Sequence, residues 1–171
     1  MKRLLIAALA VLPVVAGVAF AASAFDGAKS ATARFHDIEK AKAAGYTVTV
    51  ADLAGITCIE DPEGSGTMGV HMLNPALLFD GGAIDADEPE ILVYEPRNDG
   101  TLKLVALEYL VLKSDWEAAG NTAPPALFGQ EFMLTPAGNR YGLPPFYALH
   151  AWIWNSNPSG LFAPYNPSVS C

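Results

Sequence analysis

Basic residues are scarce in this chain. Its 171 residues include 10 Lys and Arg against 18 Asp and Glu, a formal charge of −8. No Lys or Arg occurs between Lys42 and Arg97, and only Arg140 follows Lys113. Phosphate binding rests on clustered cations, so the lack of any basic patch excludes a nucleic-acid partner. Charged residues of both signs amount to 16% while hydrophobic ones reach 51%, which excludes wholesale disorder. The Gly-x-Ser-x-Gly and P-loop patterns are missing as well, which removes two common catalytic and nucleotide-binding signatures. The length suits a single domain, because two cores would leave each half near the lower limit of independent stability.

Long hydrophobic runs are confined to the start. Lys2 and Arg3 precede an apolar stretch from Leu4 to Phe20, followed by the small-x-small triplet Ala22-Ser23-Ala24. This pattern predicts a cleaved signal peptide over residues 1–24 and a mature chain from Phe25, with cleavage after Ala21 as the alternative. No later segment is long and apolar enough to span a bilayer. The expected location is therefore periplasmic or extracellular, with no stable membrane anchor after cleavage. Loss of Lys2 and Arg3 leaves 8 basic against 18 acidic residues, a formal charge of −10.

Cysteine is nearly absent too: Cys58 and Cys171 are the only two. An oxidising compartment favours pairing them. Closing so long a loop is worth about 3–5 kcal/mol. There is no Cys-x-x-Cys spacing to suggest a redox pair.

What is present reads as mostly β. Ser30 or Thr32 is positioned to cap one helix from about Ala33 to Ala44, with Gly45 as its stop. Period-two patterns follow at Tyr46–Val50, Gly55–Ile59 and Met68–Met72. Ile91–Glu95 and Leu102–Leu112 flank Arg97-Asn98-Asp99-Gly100 and predict a hairpin. Its second strand is apolar on both faces and therefore central. Ser114–Pro145 holds five prolines and four glycines, and reads as a long loop able to act as a lid. Phe146–Trp154 is the last strong strand. The fold class is α+β, mostly β: an antiparallel sheet or partly closed barrel with one N-terminal helix, in one exported domain over residues 25–171.

Three histidines leave few places for imidazole chemistry. His71 and His150 both fall within predicted strands, and alternation puts His150 on a face with Ala148, Trp152 and Trp154. Glu108 sits mid-strand among Leu104, Ala106, Leu110 and Leu112, where a carboxylate must be paired, protonated or bound to a cation. Two imidazoles and one carboxylate form the ligand set of many mononuclear sites. His71, His150 and Glu108 are accordingly candidate ligands for one transition-metal ion: iron, zinc or copper. The competing reading is a buried polar network in which the same groups satisfy one another. Met68 and Met72 flank His71, but alternation points them away from its face and into the core. His36 reads as a solvated helix residue.

Tyr94, Tyr109, Trp152 and Trp154 make the hairpin and last strand aromatic, and are candidate pocket residues around those polar groups. Asp85, Asp87, Glu88, Glu90 and Glu95 lack EF-hand spacing and read as a solvated acidic loop.

The segments Met68-Gly69-Val70-His71-Met72-Leu73-Asn74-Pro75 and Leu149-His150-Ala151-Trp152-Ile153-Trp154-Asn155-Ser156-Asn157-Pro158 resemble those of an uncharacterised family of exported bacterial proteins. The Asn166–Cys171 ending, Tyr94-Glu95-Pro96 and Leu127–Gln130 add to the likeness. The resemblance implies an exported single domain and supplies no activity, substrate or cofactor. Function therefore rests on the residues themselves. The first expectation is a small-ligand or metal-binding domain with a His/Glu site in an aromatic-lined cavity. The alternatives are a metal-dependent oxidative or hydrolytic enzyme, and a structural or interaction protein with a buried His-Glu network.

Overall fold

A computed structural model describes residues 14–171. Part of the predicted signal peptide, residues 1–13, lies outside them. Helix α1 (Val14–Thr32) runs through the predicted cleavage position. A 3-10 turn (Ala33–His36) and α2 (Ile38–Ala43) follow. The single helix expected from Ala33 is thus broken. Asp37 adopts an extended conformation and caps α2 by accepting the Glu39 N–H at 3.1 Å. Thr32, the last residue of α1, holds the N-cap position of the 3-10 turn without a side-chain capping bond, its hydroxyl donating back to Ala28 O at 2.7 Å instead.

Among the described residues, nine strands make an open, mostly antiparallel architecture. They are β1 (Val48–Thr49), β2 (Cys58–Glu60), β3 (Thr67–Leu73), β4 (Ile91–Pro96), β5 (Leu102–Leu112), β6 (Ala126–Leu127), β7 (Gln130–Glu131), β8 (Met133–Thr135) and β9 (Phe146–Ala151). The main sheet has the order β1-β3-β4-β5-β9-β8, with β2 also on β3; β6 and β7 form a separate small hairpin. The β4–β5 hairpin pairs as expected, its turn closed by Gly100 N–H donating to Arg97 O. Strand β5 is central and buried on both faces from Leu104 to Val111. Two short helices, α3 (Pro75–Leu78) and α4 (Lys113–Ala118), complete the set. Ser114–Pro145 is therefore not one free loop. It contains α4 and β6–β8, and β8 is hydrogen-bonded to β9 as a sheet edge.

Each face of the sheet carries its own core. On one, Phe35, Ala41 and Tyr46 pack on Leu92, Tyr94, Leu107 and Tyr109. On the other, Leu78, Val169 and the partly buried Tyr141 and Leu143 pack on Ile91, Val93, Ala106, Leu110 and Phe146. Cys58 and Cys171 are bonded, with Cα atoms 5.7 Å apart and a sequence separation of 113. The bond fastens the chain end to β2, and Thr67 and Asn166 exchange backbone hydrogen bonds beside it. No described helix is long and apolar enough to cross a membrane.

Candidate metal centre

Three strands of the main sheet deliver the candidate ligands to one face. His71 comes from β3, Glu108 from β5, and His150 lies directly opposite Glu108 on β9. A strand projects alternate residues to one face, and the intervening β4 contributes small and branched side chains there, Ile91 and Val93. The His71 and His150 rings meet edge to face with centroids 5.7 Å apart. His71 Nε2 stands 3.4 Å from His150 Nε2 and 3.4 Å from Glu108 Oε2, and His150 Nε2 is 3.8 Å from the same oxygen. All three residues are buried, at 3, 6 and 6% exposure for His71, Glu108 and His150.

Burial decides their protonation. It drives His71 down to about 4 and, with the neighbouring His71, drives His150 down to about 3. Burial, reinforced by Glu90, pushes Glu108 up to about 8. The contacts among them at neutral pH are therefore between neutral groups and are not ion pairs. His71 Nδ1 lies 3.2 Å from Gly69 O, so the Nδ1–H donates to that carbonyl and the Nε2 lone pair faces Glu108 and His150. A backbone carbonyl holding the outer nitrogen in this way is the usual support of a metal-ligating imidazole.

A cavity of about 210 Å³ opens beside Glu108 and His150. Its walls include Met68, Tyr141, Phe146 and Phe162, and the exposed Gln130, Glu131 and Met133 stand at its rim. The Tyr141 hydroxyl donates to Met68 Sδ at 3.8 Å. His71 and Glu108 also line a smaller space of about 40 Å³ with Tyr141 and Phe146.

The aromatic residues expected around the site do not all reach it. Tyr94 and Tyr109 lie on the opposite face, donating their hydroxyls to Phe35 O and Ala86 O at 2.7 Å. Trp154 is also on that side, because β9 ends at Ala151 and alternation stops there; it meets His36 at 4.5 Å. Trp152 alone of the four adjoins the cluster, its ring stacked on His150 with centroids 6.3 Å apart. Met68 departs from expectation in the other direction. One extra residue in β3 opposite Ile59 and Glu60 makes a bulge at Met68, which lets it line the cavity while Met72 stays in the opposite core. Leu104 likewise leaves the face of Glu108 through a bulge at Val105.

Glu90 is not part of a solvated acidic loop. It is 2% exposed and accepts the Leu110 N–H at 2.9 Å. Burial pushes its carboxyl up to about 8. Gly64, Gly66 and Gly69 stand at Gly-x-Gly-x-x-Gly spacing, but the first two lead into β3 and the third lies within it, so no helix opens there and no dinucleotide turn is formed. Tyr141 is a wall residue that the sequence does not announce, because it lies in a proline- and glycine-rich stretch without periodicity. No family model, curated protein or solved structure matches this chain.

Proposed function

We propose that His71, Glu108 and His150 hold one tetrahedral transition-metal ion, with zinc the best fit, in an exported small-ligand-binding domain. The spacing of the three ligand atoms carries this reading. Separations of 3.4, 3.4 and 3.8 Å exceed the ~2.7–3.2 Å of well-formed hydrogen bonds, so a self-satisfied polar network accounts for them poorly. A tetrahedral ion with bonds of about 2.0–2.1 Å holds its ligands about 3.4 Å apart, whereas an octahedral one holds neighbours about 2.9 Å apart. The set therefore suits zinc better than an octahedral iron centre.

Two neutral imidazoles are already in the ligating form, and Glu108 becomes an anionic ligand by releasing its proton as metal binds. Three protein ligands leave the fourth position for water or a ligand, the pattern of sites that do chemistry. A hydrolytic role is the second reading, favoured by the cavity that reaches Glu108 and His150. The disulfide between Cys58 and Cys171 supports export, and with it membership of the exported bacterial family that the His71 and His150 segments resemble.

Elemental analysis of protein purified from the exported fraction, beside a His71→Ala/His150→Ala double variant, tests the site. One zinc per chain in the parent and none in a folded double variant is the expected result. A parent that stays empty at pH 8 with added zinc, copper or iron refutes it.

A further inference from the structure

The cavity beside the candidate metal centre is small and has an unusual charge balance. Its walls hold no Lys or Arg among the described residues. Its volume of about 210 Å³ falls below the ~300–1,000 Å³ of pockets for drug-sized ligands, which leaves room for one ring and not for two. Met68, Phe146, Ala148 and Phe162 make most of the wall apolar. The Tyr141 hydroxyl has only a thioether sulfur as acceptor, at 3.8 Å, and sulfur is a weak one. That hydroxyl is free to turn to a better acceptor inside the cavity.

Charge counting then selects the ligand. A divalent ion held by two neutral imidazoles and one carboxylate leaves a single net positive charge in a buried setting. The Glu131 carboxylate at the rim is exposed and screened by solvent, so one negative charge brought in by the ligand neutralises the buried site. A second would stand unpaired, because the wall offers no cation, and an unpaired buried charge is costly.

We infer that this cavity receives a small monoanion with an apolar body of one ring, its anionic head on the metal and within reach of the Tyr141 hydroxyl. The inference rests on the metal-binding reading above. It takes a carboxylate-headed molecule over a phosphate monoester, and an aromatic acid over acetate.

The test uses the full mature protein loaded with cobalt(II), whose visible absorption reports ligand exchange at the ion. Benzoate, acetate, benzamide and phenyl phosphate are titrated in turn at pH 7.5, where a phosphate with a second pKa of about 6 is largely dianionic. Benzoate is expected to bind at least tenfold more tightly than each of the other three. Ala148→Phe, which fills the cavity, should weaken benzoate at least tenfold and leave acetate and cobalt stoichiometry unchanged. Tyr141→Phe should weaken benzoate several-fold. Phenyl phosphate or benzamide binding as well as benzoate overturns the inference, as does benzoate no tighter than acetate. These results leave the metal site standing. A parent that takes up no cobalt removes the metal reading and this inference together.

Discussion

Glu108 has two effects that pull against each other. Without metal its carboxyl is held protonated by burial, with a folded-state value of about 8 against an ordinary 4.5. The folded chain then keeps a proton that the unfolded chain has released, so this contribution to stability is complete below about 4.5 and is lost as pH rises through about 8. His71 and His150 act oppositely: both are depressed, so they favour folding as pH rises toward 6.5. Between pH 6.5 and 8, the groups with shifted values that titrate among the described residues are Glu108 and the similarly raised Glu90. The metal-free protein should therefore lose stability between pH 6.5 and 8. Glu108→Gln should flatten that loss by at most about 2 kcal/mol, read as urea unfolding midpoints across this range. The same substitution removes the anionic ligand, so zinc affinity should fall by at least about tenfold in competition with a chelator. A variant that left both the pH profile and zinc affinity unchanged would show that Glu108 neither carries the buried proton nor binds the ion.

Strand β3 carries the feature that sets the site at the level of the element. Gly69 has φ +106°, and a Cβ there would come within 2.6 Å of Tyr94 O. Only glycine fits beside the Met68 bulge, and its carbonyl is the partner that orients His71. Gly69→Ala should cost about 1–3 kcal/mol of stability and lower zinc affinity, whereas Gly64→Ala, in open space, should cost less and leave zinc binding intact. Calorimetry and chelator competition on the two variants check this. The three ligands were legible in the sequence because each sits on a strand whose period survives locally. His150 faces Glu108 through plain antiparallel register, and His71 is three residues past the bulge. The cavity wall was not legible. Bulges at Met68 and Val105 reset the alternation, and β9 stops before Trp154, so period two misplaces Met68, Leu104 and Trp154. A glycine inside a strand pattern is the one local sign of such a bulge.

Across the whole molecule, the disulfide closes the domain over a separation of 113 residues. The segment it secures includes Pro164 and Tyr165, which line the cavity, and Val169, which is buried in the core on the same face. Cys58→Ala/Cys171→Ala should cost about 3–5 kcal/mol in unfolding free energy and loosen that wall, so benzoate affinity should fall more than zinc affinity does. The N-terminal boundary was read from composition alone. Intact mass of the exported protein should correspond to a chain starting at Phe25, and a mass retaining Met1 would contradict that assignment. Fold class and the central strand were visible in the sequence because β5 is apolar on both faces. The divided helix and the ordered 114–145 region were not, since Asp37 breaks the helix by capping and β6–β8 are too short to show a period. The most direct test of the whole account is X-ray absorption on the zinc-loaded protein. It should give four light-atom ligands at about 2.0–2.1 Å with the outer-shell signature of two imidazoles. Six oxygen-rich ligands without imidazole, or no zinc retained at all, would contradict it.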